Sequence, residues 1–130
     1  MSEEHAVAPT GIRVLIAEDE ALIARLIMFI LEDAGISSKI VLSGYDAVEA
    51  ISADPTGFQI LVTDIRVGHP PDGWGVAEIA RKANPNIGVI YITGDSMGDW
   101  PSKGVADSLL LAKPFLSRQV LAAVKSLAPV

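Results

Sequence analysis

Acidic, hydroxyl and ammonium side chains stand directly after four separate short apolar segments of this 130-residue chain. In chain order, these positions are Glu18, Asp19, Glu20, Asp64, Thr93, Gly94 and Lys113. A carboxylate can attack phosphorus to form an aspartyl phosphate, and phosphoryl transfer depends mainly on positioning and on neutralising charge. Several carboxylates in one place repel each other, and Mg²⁺, a hard cation that also favours phosphate ligands, relieves that repulsion. The set therefore indicates a phosphoryl-transfer site, provided that the fold brings its members together.

Each of these side chains has a role in such a reaction. Asp64 would receive the phosphoryl group, and Mg²⁺ would bind one phosphoryl oxygen. The Lys113 ammonium and the Thr93 hydroxyl would bind the other two, while Gly94, which has no side chain, would leave the approach open. Taken singly, Asp19 could cap the first helix and Asp64 could bond to local backbone amides. Their joint occurrence at four segment ends favours the phosphoryl-transfer interpretation.

The elements that must position these residues alternate along the chain. Apolar runs predict strands at 12–17, 39–42, 59–63, 87–92 and 108–111, and helices are predicted at 20–34, 45–53, 73–83 and 115–127. Segment 95–104, with two glycines and a proline, predicts at most a short helix. Alternation of this kind predicts parallel βαβ units with helices on both faces of the sheet. Right-handed crossovers then place all strand carboxyl ends at one edge, where such sheets bind ligands.

Composition narrows the class of protein. The net charge of −6 and the lack of a basic patch disfavour nucleic acid as a partner, and the absence of cysteine excludes disulfides and thiolate metal sites. The longest apolar stretch, 21–31, contains Arg25 and is too short to cross a bilayer. The first residues resemble no signal peptide. We therefore expect a cytoplasmic protein that binds no membrane, with a flexible tail at 1–11 and one domain at 12–128.

Four stretches in order, VLIAEDE, LVTDIRV, VIYITGD and LLAKPF, resemble the receiver domain of two-component response regulators, CheY-like proteins, over about residues 11–128. The resemblance implies a flavodoxin-like α/β fold, a doubly wound five-stranded parallel sheet of order 2-1-3-4-5. It implies a signalling protein rather than an enzyme, which a histidine kinase or histidine phosphotransfer protein phosphorylates in the presence of Mg²⁺. A stand-alone regulator of this kind would act on an unknown downstream protein, as a monomer or a phosphorylation-dependent dimer.

The resemblance also implies the identity of the phosphoacceptor and of the metal ligands. Asp64 is the position of the phosphoacceptor. Glu18 and Asp19 are the acidic Mg²⁺ site together with Asp64, and the backbone carbonyl of Arg66 adds a further ligand.

The switch residues follow the family pattern with one departure. The resemblance makes Thr93, with Gly94 beside it, and Lys113 the phosphate-binding switch group, and implies a cis peptide bond after Lys113. The aromatic residue that receivers usually carry three positions before this lysine is here Leu110. Tyr91 shares a strand face with Thr93. Tyr91 could therefore partly take over the role of the missing aromatic residue. The alternative is that Tyr91 fills the core with its hydroxyl hydrogen-bonded.

Other residues near these motifs suggest further roles. Arg66 and Asp95 occupy positions that tune attack by water in the family, and a pair between them would lengthen the phosphorylated lifetime; the alternative is two solvated side chains. Trp100 could anchor its loop or serve as a partner contact. Phe29 could contact a kinase or phosphotransfer partner, and the alternatives for it are dimerisation and core packing. The predicted core stripe of the first helix consists of Leu22, Ile23, Leu26, Ile27 and Ile30.

Two other classes of function compete with this interpretation. A receiver-like interaction module that acts without phosphorylation would usually have lost part of the acid, Asp, Thr and Lys set, and none is missing. A flavin-binding enzyme of the same fold would place its phosphate near Glu18 and its acidic neighbours, which would repel it. A phosphatase with an Asp-x-Asp motif is disfavoured because Ile65 and Arg66 follow Asp64.

Overall fold

The computed structural model describes residues 9–95 and 97–128 and has the predicted alternation of strands and helices. The strands are β1 Arg13–Ala17, β2 Ser37–Val41, β3 Ile60–Asp64, β4 Gly88–Thr93 and β5 Leu109–Ala112. The helices are α1 Ala21–Asp33, α2 Gly44–Ala53, α3 Gly73–Ala83, α4 Trp100–Lys103 and α5 Ser117–Leu127, and a 3₁₀ turn, Met97–Asp99, precedes α4.

All neighbouring strands pair in parallel in the order β2-β1-β3-β4-β5, which confirms the predicted flavodoxin-like topology. The register aligns Asp64 of β3 with Ile92 of β4, and Thr93 with Ala112 of β5. The carboxyl ends of the three strands therefore lie side by side at one edge of the sheet.

Helices cover both faces of the sheet, because successive side chains of each strand point to opposite sides. Leu15 and Leu61 pack in a core with α2 and α3, whereas Ile16 and Val62 pack in a second core with α1 and α5. Strands β3 and β4 are buried over their whole length, as their near-continuous apolar sequence predicts.

Element boundaries differ from prediction mainly at β2 and α5. Strand β2 begins at Ser37, two residues before the predicted start, because an edge strand is half exposed and its polar residues give no apolar signal. Helix α5 begins at Ser117 rather than at 115, after a turn that contains the cis Lys113–Pro114 peptide bond. The cis bond confirms the expectation from the family; a second one, Pro70–Pro71, was not predicted.

The predicted core stripe of α1 is wrong at two positions. Leu22 is 84% exposed and Leu26 is 47% exposed, and the helix is buried through a stripe that includes Ala24 and Leu31 instead. The sequence is apolar around most of this helix, so periodicity alone could not select the face that packs on the sheet.

The segment between β4 and β5 contains the predicted short helix, a single turn at Trp100–Lys103. Trp100 packs against the core beside α3, and its indole Nε1 donates a hydrogen bond of 3.0 Å to Ser108 Oγ. These contacts agree with the interpretation of Trp100 as an anchor of this segment.

Most of the predicted flexible tail, at 1–8, lies outside the described residues. Near its end, Thr10 is tied to the domain, because its backbone N–H and hydroxyl both donate to the carbonyl of Gly35. No helix within 9–95 and 97–128 is both long and apolar enough to traverse a bilayer.

Candidate functional site

An open cleft of about 590 Å³ lies at the carboxyl edge of the sheet. It is bounded by residues that follow β1, β3, β4 and β5, as the parallel topology requires. Its lining residues are Asp19, Glu20, Asp64, Arg66, Gly94, Asp95 and Lys113.

Asp64 is the last residue of β3, and its side chain is largely buried at the base of this cleft. Its Oδ2 accepts a hydrogen bond of 2.6 Å from Lys113 Nζ, and its Oδ1 accepts one of 3.0 Å from the backbone N–H of Arg66. Behind it, Gly73 donates its backbone N–H to the carbonyl of Ile65 at 2.7 Å. A Cβ at Gly73 would overlap the backbone carbonyl of Asp64, so glycine is required where α3 begins.

Lys113 connects the acidic residues of the cleft. Its Nζ lies 2.6 Å from Asp64 Oδ2, 3.0 Å from Glu18 Oε1 and 3.2 Å from Glu20 Oε1. Its backbone N–H donates to the carbonyl of Thr93 at 2.8 Å, which ties the end of β5 to the end of β4. Burial lowers the pKa of Lys113, but the hydrogen bond to Asp64 and the ion pair with Glu18 outweigh it and hold the pKa above its usual range. The ammonium group therefore stays charged at neutral pH.

Glu18 is fully buried beneath Lys113. Burial raises the pKa of Glu18 to about 7, although the backbone N–H of Glu20, which donates to Glu18 Oε2 at 3.0 Å, and the contact with Lys113 both lower it. Its Oε1 lies in the ion pair with Lys113 but forms no hydrogen bond within the described part of the chain. A buried carboxylate oxygen that is ion-paired but not hydrogen-bonded can also coordinate a cation.

The carboxylates fit a hard divalent cation. Glu18, Glu20 and Asp64 each offer one oxygen, and these oxygens all lie within 4.8 Å of one another. When Glu18 is ionised, three negative charges face the single ammonium of Lys113, and the group then has negative charge in excess. Oxygen ligands and excess negative charge suit Mg²⁺.

The acidic residues after β1 are arranged differently from the prediction. Glu20, to which no metal role was assigned, belongs to the cluster, whereas Asp19 lines the cleft near Gly68, with Oδ2 3.8 Å from the position of a Cβ there. Glu20 also occupies the N-cap position of α1 without a side-chain capping bond, so the capping explanation for Asp19 is wrong. The sequence shows three adjacent acidic residues, but spacing alone could not predict which of them join the carboxylate cluster. Metal binding by Glu18, Asp19, Asp64 and the backbone carbonyl of Arg66 stays a prediction.

Thr93 and Gly94 form the side of the cleft next to Asp64. Thr93 is buried at the end of β4, and its Oγ1 accepts the backbone N–H of Asp95 at 3.1 Å. A Cβ at Gly94 would meet no atom within 4 Å. Packing therefore does not require glycine there, and a larger residue would project into the cleft, as expected if Gly94 keeps the approach open.

Comparison with known proteins agrees with this geometry. The chain matches the response regulator receiver domain family over residues 14–125. It belongs to the response regulator receiver family. Over 111 residues it is 32% identical to the response regulator receiver protein CpdR of Brucella abortus, a match that covers 84% of this chain and 90% of that protein.

Two further comparisons place this receiver among its relatives. A crystal structure of a response regulator receiver protein from Sinorhizobium medicae superimposes with a TM-score of 0.85 at 41% identity, covering 89% of this chain and 93% of that one. A putative NtrX-like response regulator of Rickettsia typhi is 40% identical over 81 residues, or 62% of this chain. The match spans only 17% of that longer protein.

Arg66 and Asp95 form the predicted ion pair across the mouth of the receiver's cleft. Arg66 Nη2 lies 3.0 Å from Asp95 Oδ2, and both side chains are exposed. The pair joins the loop after β3 to the loop after β4. Its effect on attack by water stays a prediction.

Tyr91 is fully buried, as its alternative role in the core predicts. Its ring centroid lies 4.7 Å from that of Trp74, and its hydroxyl accepts the backbone N–H of Val105 at 3.0 Å. Burial raises the pKa of Tyr91. Leu110, at the position where receivers usually carry an aromatic residue, is its neighbour on β5. A reporting role for Tyr91 stays a prediction.

An apolar surface adjoins the cleft on the side of α1. Phe29 is 56% exposed, as the prediction of a partner contact requires, and the exposed Leu26 and Leu22 lie one turn and two turns before it, respectively. A groove of about 330 Å³ runs from this helix to Lys113 and Phe115. We call the surface formed by Leu22, Leu26, Phe29, Phe115 and Leu116 the α1 surface.

Proposed function

We propose that this receiver accepts a phosphoryl group on Asp64 from a histidine kinase or a histidine phosphotransfer protein. One observation carries the proposal. Asp64 ends the central strand at an open cleft, with Oδ2 2.6 Å from Lys113 Nζ and with Glu18 and Glu20 close by. This is the arrangement that a carboxylate nucleophile and a charge-neutralising ammonium need.

The transfer makes one bond and breaks one. An oxygen of Asp64 forms the bond to phosphorus while the phosphorus–nitrogen bond of the donor breaks, and the departing imidazole carries a solvent proton. Lys113 keeps its charge throughout and can follow the phosphoryl oxygens, because its side chain already touches Asp64. Thr93, at the adjacent strand end, would supply a hydroxyl to another phosphoryl oxygen.

The acidic residues would hold Mg²⁺ in this reaction. Glu18, Glu20 and Asp64 present the clustered oxygens, and Asp19 and the Arg66 carbonyl are the further ligands that the family pattern implies. When bound, the ion neutralises charge on a phosphoryl oxygen.

The α1 surface would receive the phosphodonor protein. It is apolar and exposed, and it reaches the cleft through the groove beside Lys113. A donor docked there would lie next to Asp64. Exposed apolar side chains that recur along one helix face, as Leu22, Leu26 and Phe29 do, mark interaction sites.

The ion pair of Arg66 and Asp95 would then set how long the phosphoryl group persists. It spans the mouth of the cleft, where an attacking water must enter. The output is the binding of an unknown downstream protein, by a monomer or by a dimer formed on phosphorylation.

The alternative is an interaction module that acts without phosphorylation. Intact-mass spectrometry after treatment with phosphoramidate, a small phosphorus–nitrogen donor, distinguishes the two. We expect the wild type to gain one phosphoryl group with Mg²⁺ and far less in EDTA, and Asp64→Asn to gain none. A wild type that gains no mass with Mg²⁺ would favour the alternative.

A further inference from the structure

The segment between α4 and β5, residues 104–108, is held by a chain of side-chain hydrogen bonds. The N–H of Val105 donates to Tyr91 Oη at 3.0 Å, and the carbonyl of Val105 accepts from Ser108 Oγ at 2.7 Å. The same Oγ accepts the indole N–H of Trp100 at 3.0 Å. The backbone N–H of Val105 is thus held by Tyr91 of β4, and its carbonyl is held by Ser108 at the end of the segment. We call this chain of three hydrogen bonds the Val105 latch.

The segment is also fastened from α3. The guanidinium of Arg81 donates to the carbonyl of Ala106 at 2.8 Å. Three elements of the fold, α3, α4 and β4, therefore fix a segment that has no regular structure of its own. One backbone bond, from the N–H of Gly104 to the carbonyl of Trp100 at 2.9 Å, also holds the start of the segment. The bonds at Val105, Ala106 and Ser108 all involve side chains, and a loop held mainly in this way can open locally when one of them is lost.

Tyr91 forms the buried end of the latch. Its hydroxyl is removed from water, so losing the N–H of Val105 would leave a buried polar group unsatisfied. Leu110, its neighbour on β5, has no polar group to offer. The polar link from the sheet to this segment therefore comes from β4, two residues before Thr93.

Trp100 forms the other end of the latch. It is also connected to Thr93 along the chain. Thr93 Oγ1 accepts the N–H of Asp95, and the turn Met97–Asp99 and α4 follow in the chain. Thr93 is thus connected to the latch twice, along β4 to Tyr91 and through Asp95 toward Trp100.

We propose that the Val105 latch is the device through which phosphorylation of Asp64 changes the surface formed by α4 and residues 104–108. This inference rests on the proposed phosphorylation. A phosphoryl group brings about 1.5 to 2 negative charges to Asp64. The Thr93 hydroxyl turns to donate to it and releases the N–H of Asp95, which frees the start of the segment that carries Trp100. The Trp100–Ser108 and Tyr91–Val105 bonds then open, and the indole of Trp100 reaches the surface.

Hydrogen exchange by NMR tests the opening directly. In the ¹⁵N-labelled full chain, we expect exchange of the Val105 amide and the Trp100 indole N–H to quicken about tenfold when Mg²⁺ and beryllofluoride, a phosphoryl mimic, are added. The chain has two tryptophans, so Trp74, packed against Tyr91, provides the internal reference. Exchange that stays unchanged at both groups while beryllofluoride occupies Asp64 would overturn the latch.

Tyr91→Phe keeps the ring and removes only the hydroxyl. We expect the Val105 amide to exchange rapidly in this variant before any addition, and beryllofluoride to cause little further change. Tyr45→Phe is the matched control, because Tyr45 is 59% exposed, and should behave as wild type. Ser108→Ala removes the hydroxyl that joins Val105 to Trp100, and the Trp100 indole N–H should then exchange rapidly before any addition. A Val105 amide as protected in Tyr91→Phe as in wild type would contradict the proposal.

Intact mass after phosphoramidate treatment separates this inference from the function on which it rests. Tyr91→Phe and Ser108→Ala should acquire the phosphoryl group as fully as wild type does. If wild type itself gains no mass, the proposed function fails and the latch has no trigger. If wild type gains the mass and exchange does not change, the latch alone is wrong.

Discussion

The cleft around Asp64 and the surface formed by α4 and residues 104–108 are held together by different forces. In the cleft, one ammonium lies within 3.2 Å of three carboxylates, one of them fully buried. On that surface, neutral hydrogen bonds of Tyr91, Ser108 and Trp100 hold one loop. Charge interactions in a partly desolvated site respond strongly to an added charge, whereas a neutral hydrogen bond contributes about 1 kcal/mol. If Asp64 is phosphorylated as we propose, the cleft is suited to detect the phosphoryl group, and the surface formed by α4 and residues 104–108 is suited to change in response.

Removing the ammonium of the cleft should have the largest effect. We expect Lys113→Gln to slow phosphorylation by phosphoramidate at least about 100-fold, because it removes a charge aimed at the developing negative charge of the transition state. A time course of intact mass measures the rate, with Lys125→Gln, an exposed lysine of α5, as control. Phosphorylation of Lys113→Gln at the wild-type rate would mean that charge in the cleft does not drive the transfer.

The buried acid of the cleft should make stability depend on pH. Burial raises the pKa of Glu18 from 4.5 to about 7, so the stability that comes from its neutral form is fully present below pH 4.5 and is lost as the pH rises through 7. Without divalent cations, Glu18→Gln should therefore gain about 2–3 kcal/mol in free energy of unfolding, relative to wild type, between pH 4.5 and pH 8.

Urea denaturation at the two pH values measures this difference. Added Mg²⁺ should reduce it, because the cation stabilises the charged form of Glu18 in the wild type alone. A difference that does not depend on pH would show that ionisation of Glu18 does not lower the free energy of unfolding.

At the surface formed by α4 and residues 104–108, we expect a smaller change in the free energy of unfolding. Tyr91→Phe should lower the free energy of unfolding by about 1 kcal/mol, the contribution of one buried hydrogen bond. The exposed Tyr45→Phe should change it by less than about 0.5 kcal/mol. Urea denaturation at pH 7 compares them, and equal stabilities of the two variants would show that the Val105 contact contributes nothing.

The smallest effect concerns the exposed pair at the mouth. Arg66→Ala should raise the rate of dephosphorylation about two- to fivefold, since an exposed ion pair contributes at most about 1 kcal/mol. The rate is followed by mass after the phosphodonor is removed, and the effect should shrink at high salt. An unchanged rate would mean that the pair does not hinder water.

Sequence alone predicted the cleft well because its position follows from topology. Once five apolar segments alternate with helices, parallel pairing places Asp64, Thr93 and Lys113 at one edge whatever the details of packing. Glu20 was not assigned because three neighbouring acids differ only in the direction that the backbone gives their side chains.

The features that the sequence did not predict depend on contacts between residues far apart in the chain. The buried face of α1 could not be chosen while nearly every face of that helix was apolar, so Leu22 and Leu26 were placed in the core although they are exposed. The bond from Tyr91 to Val105 joins residues 14 apart through a loop with no periodic signal. Such contacts are fixed by tertiary packing, which local patterns do not encode.

Mapping the phosphorylated residue determines whether Asp64 is the phosphoacceptor. Borohydride reduces an aspartyl phosphate to homoserine, which peptide mass spectrometry can locate after treatment with phosphoramidate and Mg²⁺. We expect homoserine at position 64 and unmodified carboxylates at Glu18, Asp19 and Glu20. A phosphorylated chain in which position 64 remains aspartate would contradict this expectation.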